Sequence, residues 1–341
     1  MNLPLTLWPD PMVLTDGSTV TNTFQWYLRR KEIMSLLLKH LYGELPETPV
    51  TTRGVLLHVA VPNASAAATP RRIYSYRVEA DGVVAFNFQL TTPDGNGPFP
   101  AVVHGDNCWN YANDTVIDTV LLRGYALVGF NRVEIMSDLV GDVATQTTSP
   151  ALKTFVGGAI AAWAWGLHRV IDTLQTNILV DRSRLAVVGH SRGGKAALLA
   201  GALDDRIALT SANNSGAAGA GSRIFQGNGS ETLAELMECF PHWLAGDVRH
   251  ATCHDVPPQF DQHFLRALVA PRALLTTEAL QDDWANPQGS QLAQQAAQPV
   301  FDFLGVPHHN AIVLREGGHA HTLQDWTSLL DYADDVFCLG A

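Results

Sequence analysis

A serine set between glycines, after a buried strand and before an apolar helix, limits what this chain can fold into more than any other feature. Residues 184–198 read Arg-Leu-Ala-Val-Val-Gly-His-Ser-Arg-Gly-Gly-Lys-Ala-Ala-Leu. The run 185–189 has the composition of a strand covered on both faces, and 194–203 reads as a helix. Between them lies G-x-S-x-G, as Gly189, His190, Ser191, Arg192 and Gly193. A serine on so sharp a strand-to-helix turn crowds its neighbours, and glycine relieves the crowding on either side. The turn lifts the Ser191 hydroxyl above the sheet edge and aims the Arg192 N–H at a developing oxyanion. The pattern therefore predicts Ser191 as a nucleophile. An overlapping P-loop pattern, from Gly189 to Gly194-Lys195, lacks the Ser or Thr that would hold Mg²⁺, because residue 196 is Ala.

The rest of the chain supplies a sheet for this turn. Asn22 can cap a helix carrying Trp26, Ile33, Leu37 and Leu41 at helical spacing, with Gly43 ending it. This helix makes residues 1–50 an annex. Arg29, Arg30 and Lys31 fall on its other side and read as a solvated face. Strand-like runs follow at 55–61, 73–78 and 83–90, the second alternating as a half-exposed antiparallel strand does. The Ala-rich piece 64–68 reads as a short loop or edge insert. After a turn at 93–98 the character changes. Short apolar runs at 101–104, 126–130, 185–189, 207–211, 273–277 and 311–314 alternate with helical stretches at 155–175, 194–203, 288–304 and 323–337. The alternation predicts an α/β chain with an antiparallel start and a mostly parallel, doubly wound sheet. All of 1–341 is expected to form one domain. Residues 216–270 exceed what a crossover needs and are expected to form a rim over the site.

A catalytic serine of this kind takes its acid and its base from later in the chain. The base is expected at His319, in the loop after the last strand, with His321 as the fallback. The acid belongs to the loop after 273–277, which offers Glu278, Asp282 and Asp283 without choosing between them. A second oxyanion donor is expected from Gly105-Asp106-Asn107, after the strand 101–104. His250, Cys253 and His254 lie close together but lack a fourth ligand, so they read as loop residues and not as a zinc site.

Composition excludes other classes. Acidic residues outnumber basic ones 33 to 22, a formal net charge of −11, which argues against a nucleic-acid partner. Apolar residues make up 46 % and charged ones 16 %, enough for a substantial core. Cys108, Cys239, Cys253 and Cys338 are too few for a disulfide scaffold and read as reduced, mostly buried thiols. The longest apolar run, 155–167, is shorter than the roughly 20 residues a membrane span takes, so no membrane partner is expected. Residues 1–5 show no basic start followed by an apolar run, which predicts a cytoplasmic chain.

Further residues carry a family resemblance. Ser191-Arg192-Gly193-Gly194-Lys195 is followed by Ala202-Leu203-Asp204-Asp205-Arg206-Ile207-Ala208-Leu209-Thr210. Then come Glu231-Thr232, Phe240-Pro241-His242-Trp243, Gln259-Phe260-Asp261-Gln262-His263, Ala270-Pro271-Arg272, Asp282-Asp283-Trp284 and Gly318-His319-Ala320-His321. Trp8-Pro9-Asp10-Pro11 and the first helix fit too. This ordered set, over nearly the whole chain, resembles the glucuronoyl esterases, carbohydrate esterase family 15 of the α/β-hydrolase superfamily.

The resemblance implies a three-layer αβα sandwich. It also implies a serine esterase cleaving esters of D-glucuronic acid, or its 4-O-methyl form, with alcohols such as those of lignin. Ser191 is similar to the family nucleophile, His319 to its base and Arg192 to its oxyanion-stabilising arginine. Lys195, Glu231 and Trp284 resemble substrate contacts, with Glu238 a weaker match. No metal and no organic cofactor is implied. The expected protein is a monomer acting on a small carbohydrate ester or glucuronoxylan-derived substrate. Such relatives work outside the cell, which implies a secreted or periplasmic setting if a leader is removed.

Two positions depart from the pattern. Many members carry an acid in a Glu-Ser-Gly stretch where this chain has Asn214-Ser215-Gly216. Others carry it two residues before the tryptophan, and that selects Asp282 ahead of Asp283 and Glu278. His190 stands where the family usually has Cys, a packing difference. The alternatives are a general carboxylesterase or acetyl-xylan esterase, or a non-catalytic carbohydrate-binding relative.

Overall fold

The computed structural model describes residues 4–62, 69–140, 147–248 and 259–338. In chain order the strands are β1 (Thr52–Ala60), β2 (Arg71–Ala80), β3 (Val83–Pro93), β4 (Phe99–His104), β5 (Ala126–Phe130), β6 (Val180–His190), β7 (Leu209–Asn213), β8 (Ala273–Ala279) and β9 (Asn310–Arg315). The helices are α1 (Thr23–Leu37), α2 (Asp114–Leu122), α3 (Ala159–Leu174), α4 (Arg192–Leu203), α5 (Leu233–Cys239), α6 (Gln262–Val269), α7 (Pro287–Phe303) and α8 (Leu323–Phe337).

The strands join in one sheet, ordered β1-β2-β3-β5-β4-β6-β7-β8-β9. β1, β2 and β3 form an antiparallel meander, and β3 meets β5 antiparallel. From β5 to β9 every pairing is parallel. Both faces of the parallel part are covered, which is why its strands are continuous apolar runs. Successive side chains alternate between two cores. Val103, Val187 and Leu274 pack with Ile33, Ile160, Leu198, Phe264 and Val300 from α1, α3, α4, α6 and α7. Val102, Val188 and Leu275 face the opposite way, onto Val120 of α2 and Trp326 and Leu330 of α8. The result is the three-layer α/β-hydrolase arrangement, with parallel strand ends gathered at one edge where ligands bind in sheets of this kind.

Several expectations are revised. The helix expected from residue 155 starts at Ala159, after an extended Gly158, and its first N–H groups, of Ala159 and Ile160, donate to the His242 and Trp243 carbonyls at 2.9 and 3.2 Å. The basic cluster on α1 is not a solvated face. Arg29 is buried, paired with Glu32 and stacked on Phe264. Arg30 donates to the carbonyls of Leu268 and Ala202 and pairs with Asp205, so it caps the ends of α6 and α4. Only Lys31 keeps to the surface, over Tyr27. The expected rim insertion ends in α6, which is buried against α4 and α7 and belongs to the helical layer. Cys108, Cys239 and Cys338 are free and exposed, not buried. Residues 64–68 and Cys253 lie outside the described residues. Among those described, no helix is long and apolar enough to cross a membrane.

α4 approaches the sheet through a glycine. A Cβ at Gly201 would sit 1.9 Å from Thr210 Oγ1 on β7. Gly201→Ala is therefore expected to destabilise the fold by about 1–3 kcal/mol, despite alanine's better helix propensity. The check is a lower urea midpoint at unchanged slope, partly restored by adding Thr210→Ala.

Candidate active site

β6 ends at His190, and Ser191 begins the turn into α4 with φ 54° and ψ −121°. A non-glycine residue held there costs about 1–3 kcal/mol, so the surroundings must impose it. Ser191 N–H donates to the Asn213 carbonyl at 2.8 Å, and the Ser191 carbonyl accepts from Lys195 N–H at 3.0 Å. The flanking glycines are sterically required. A Cβ on Gly189 would lie 2.2 Å from the Gly193 carbonyl oxygen, and one on Gly193 would lie 2.2 Å from Asp106 Oδ1. Asp106 also accepts the His190 N–H at 2.9 Å and pairs with buried Arg132.

The Ser191 hydroxyl meets His319 Nε2 at 2.9 Å, and His319 Nδ1 meets Asp282 Oδ2 at 2.6 Å. Two loops deliver this connected chain, and they are joined to each other. Leu280 N–H donates to the Arg315 carbonyl at 2.8 Å and Gln281 N–H to the Gly317 carbonyl at 3.1 Å, which prolongs the β8–β9 pairing into the loops. Arg315, held by Asp325 at 2.8 Å, donates to the carbonyls of Glu316 and Ala320 on either side of His319.

The loop geometry separates the three carboxylates that the sequence left open. Asp282 is 4 % exposed and faces His319. Asp283 points to solvent. Glu278 is fully buried in β8, and neither of its oxygens makes a hydrogen bond among the described residues. Burial pushes its carboxyl up to about 8, against the pull of the Arg266 guanidinium. His321, the fallback base, stacks on Trp326 with centroids 4.8 Å apart, and burial brings its imidazole down to about 3.

Asn214 cannot supply charge, but both ends of its amide are engaged. Its side-chain oxygen accepts the Ala279 N–H at 2.8 Å and its amide donates to the Ala320 carbonyl at 3.3 Å. His190 packs its ring 4.6 Å from that of His319 and 4.7 Å from Tyr111. Burial lowers His190 to about 4, so it stands neutral beside the base.

Ser191 and His319 open on a cleft of about 300 Å³. Arg192, Lys195, Glu231 and Trp284 line it, and Trp284 is 43 % exposed. Arg192 donates to Asp138 at 2.8 Å. Its guanidinium lies 4.6 Å from the Trp243 ring centroid and 5.1 Å from that of Phe240. Those two rings stack on each other at 3.9 Å. Lys195 is buried and donates to the Ser215 carbonyl (2.8 Å), the Ala217 carbonyl (2.5 Å) and Glu231 Oε2 (2.8 Å). An ammonium has three donors, so all of them are taken by the protein. Burial draws the Lys195 ammonium below its ordinary value, against the pull of Glu231. Glu231 Oε2 also accepts the Ala217 N–H at 3.1 Å.

Two expected contributors are absent from the cleft wall. Glu238 is exposed on α5 and does not line it, although its neighbour Cys239 does. The loop 105–107 does not line it either. Its Asp106 N–H turns to His104 Nδ1 at 3.3 Å, and the Asp106 carboxylate is spent on the elbow and Arg132. Asp138 had no sequence signal, because an isolated aspartate acquires a partner only through the fold. His250, Cys253 and His254 lie outside the described residues.

Comparison with known proteins gives one consistent result. The family described as "Glucuronyl esterase, fungi" matches residues 77–305. A carbohydrate esterase from an unknown prokaryotic organism is 29 % identical, over 98 % of this chain and 90 % of its own. The 4-O-methyl-glucuronoyl methylesterase of Thermothelomyces thermophilus is 30 % identical, over 95 % of this chain and 80 % of its own. The solved glucuronoyl esterase of Caldicellulosiruptor kristjansonii superposes with a TM-score of 0.80 at 27 % identity, covering 96 % of this chain and 90 % of that one.

Two outcomes follow from this geometry. Asp282→Ala is expected to lower kcat on a chromogenic ester by about 10³–10⁴-fold, the usual scale for losing the residue that orients the base. Asp283→Ala keeps most activity, and the reverse ranking would move the acid by one residue. The second outcome concerns Glu278. Its carboxyl rises from 4.5 to about 8 on folding, so the folded state binds the extra proton between those values. Stability therefore falls as pH rises across that window. Denaturant titrations at pH 5.5 and 8 are expected to show a shallower fall for Glu278→Gln than for the parent.

Proposed function

The chain belongs to the glucuronoyl esterases of carbohydrate esterase family 15, and we propose that it hydrolyses esters of D-glucuronic acid, or its 4-O-methyl form, with alcohols. The observation that carries this reading is the connected chain Asp282–His319–Ser191 opening on a cleft whose wall holds Lys195, Glu231 and Trp284. A ring face with polar groups beside it suits a polyhydroxylated sugar.

In this reading His319 Nε2 takes the Ser191 proton as the oxygen attacks the uronate carbonyl carbon. Asp282 orients the imidazole and offsets its charge. The oxyanion is met by the Arg192 N–H, one of the helix-start donors without an intrahelical partner, and by the Arg192 guanidinium. His319 then gives its proton to the departing alcohol. Water, activated by the same base, cleaves the acyl-enzyme and returns Ser191. Glu231 and Trp284 are proposed as the direct sugar contacts. Lys195, with its donors engaged, holds Glu231 and the 215–217 turn in place.

The test compares hydrolysis of benzyl D-glucuronate with that of an aryl acetate, using Ser191→Ala as the control. The benzyl ester is expected to be cleaved, with activity lost in Ser191→Ala. Activity on the acetate alone would replace this reading with that of a general carboxylesterase. Activity on neither ester would favour a carbohydrate-binding relative.

A further inference from the structure

Both cationic side chains that line the cleft are neutralised by carboxylates of the same chain. Lys195 Nζ lies 2.8 Å from Glu231 Oε2, and both side chains are 3 % exposed. Arg192 Nη1 lies 2.8 Å from Asp138 Oδ2. Burial pushes the Asp138 carboxyl up, but His242, Arg192 and Trp243 outweigh it and hold it below the ordinary carboxylate value. Asp138 also faces His242 Nε2 at 3.4 Å. Arg132 is 4.0 Å away and is itself paired with Asp106, so two arginines face two aspartates.

The two pairs leave different things behind. Lys195 has no donor left. Arg192 spends one N–H on Asp138 and, as a five-donor group, keeps others. The cleft thus offers hydrogen bonds to an oxygen without offering uncompensated positive charge. Asp282 adds a buried carboxylate beside the base.

The proposed reaction changes the charge of its ligand at this spot. The ester is neutral. In deacylation the bond from Ser191 Oγ to the acyl carbon breaks and the bond from water oxygen to that carbon forms. One water proton passes through His319 to Ser191. The liberated uronic acid gives its own proton to solvent and becomes an anion. A carboxylate facing an unpaired arginine is held by a charge-assisted bond about twice as strong as a neutral one. Here it meets an arginine whose charge is already paired, with Asp138 behind it.

We propose that Asp138 determines specificity: as the counter-ion of Arg192, it makes the cleft take the neutral uronate ester and release the uronate anion. Asp138 touches no substrate and acts through the charge on Arg192. The proposal rests on the uronate-ester reading above.

The test is calorimetric titration of D-glucuronate and of its methyl ester, in a Ser191→Ala background that cannot turn over the ester. Asp138→Asn keeps one oxygen, for Trp243 Nε1, and removes the charge along with the second oxygen that Arg192 Nη1 uses. It is expected to tighten glucuronate binding about tenfold while moving methyl-ester binding by less than about threefold. Asp138→Glu, which keeps the charge, is expected to retain the parent selectivity. Equal shifts for both ligands, or no shift for either, would overturn the proposal. The wild-type enzyme gives a second reading that needs no Asp138 variant. Added glucuronate is expected to inhibit methyl-ester hydrolysis only well above the KM of that ester, and inhibition below that KM would also overturn it. Failure of the substrate reading is separate, since it appears as no hydrolysis of the methyl ester and no binding of either ligand.

Discussion

The strained backbone of Ser191 is the constraint on which the rest of this architecture depends. At φ 54° and ψ −121° a serine is held uphill, and four neighbours close the way down. The Asn213 carbonyl takes its N–H from the adjacent strand, and Lys195 N–H takes its carbonyl from the next helical turn. Gly189 lets the Gly193 carbonyl approach to a distance no Cβ would permit. Asp106, in the loop after the other adjacent strand, fixes His190 N–H and fills the space that a side chain on Gly193 would need. β4 and β7 flank β6, so the neighbours that make it a central buried strand also grip its final turn. The cost of holding the turn is met by the same packing that builds the sheet.

A line of alternating charges runs outward from that turn. Asp106 pairs with Arg132, Arg132 approaches Asp138, and Asp138 pairs with Arg192 on the cleft wall. Burying ions costs more than their attraction returns unless hydrogen bonds complete the set. Completion is what the rim contributes, since Trp243 Nε1 donates to Asp138 at 2.9 Å and His242 Nε2 lies 3.4 Å from it. The Phe240–Trp243 stack then covers the Arg192 plane. Such a line is poor evidence for stability and good evidence for orientation, because each charge can satisfy its partners in only one arrangement.

What was legible in the sequence follows from how local each signal is. The elbow and the order of serine, acid and base are written in short segments whose geometry the backbone decides, so residues 185–198 and the loop at 319 could be read directly. The antiparallel start and the parallel core were legible from alternation against continuous burial. The places of Arg29 and Arg30 are hidden in the sequence because a basic run looks the same whether it meets water or, as here, the Pro11 carbonyl and the carbonyl ends of two distant helices. Lys195 was recognised as a cleft residue, but the occupation of its three donors depends on a turn at 215–217 that only tertiary structure brings near. Glu238 lost its place for a similar reason: one step along α5 turns a side chain from the cleft, where Cys239 lies, to solvent. Asp138 carried no pattern at all.

The acid is the most instructive case. The resemblance led to two possible positions, the end of β7 and the loop after β8. These strands are parallel neighbours, and both ends reach the histidine loop, through Asn214 to the Ala320 carbonyl and through Asp282 to His319. Either place can send a carboxylate toward His319, and a chain needs only one. Here Asp282 occupies the second place, capping its own turn through Ala285 N–H as it meets the imidazole. The first place holds Asn214, whose amide does what a carboxylate could not. It accepts from Ala279 N–H and donates to the Ala320 carbonyl, so one neutral side chain ties the start of the acid loop to the base loop. A carboxylate at 214 would lose the donor half of that tie and place a second negative charge near Asp282. The amide therefore makes the two-loop assembly consistent with a single acid.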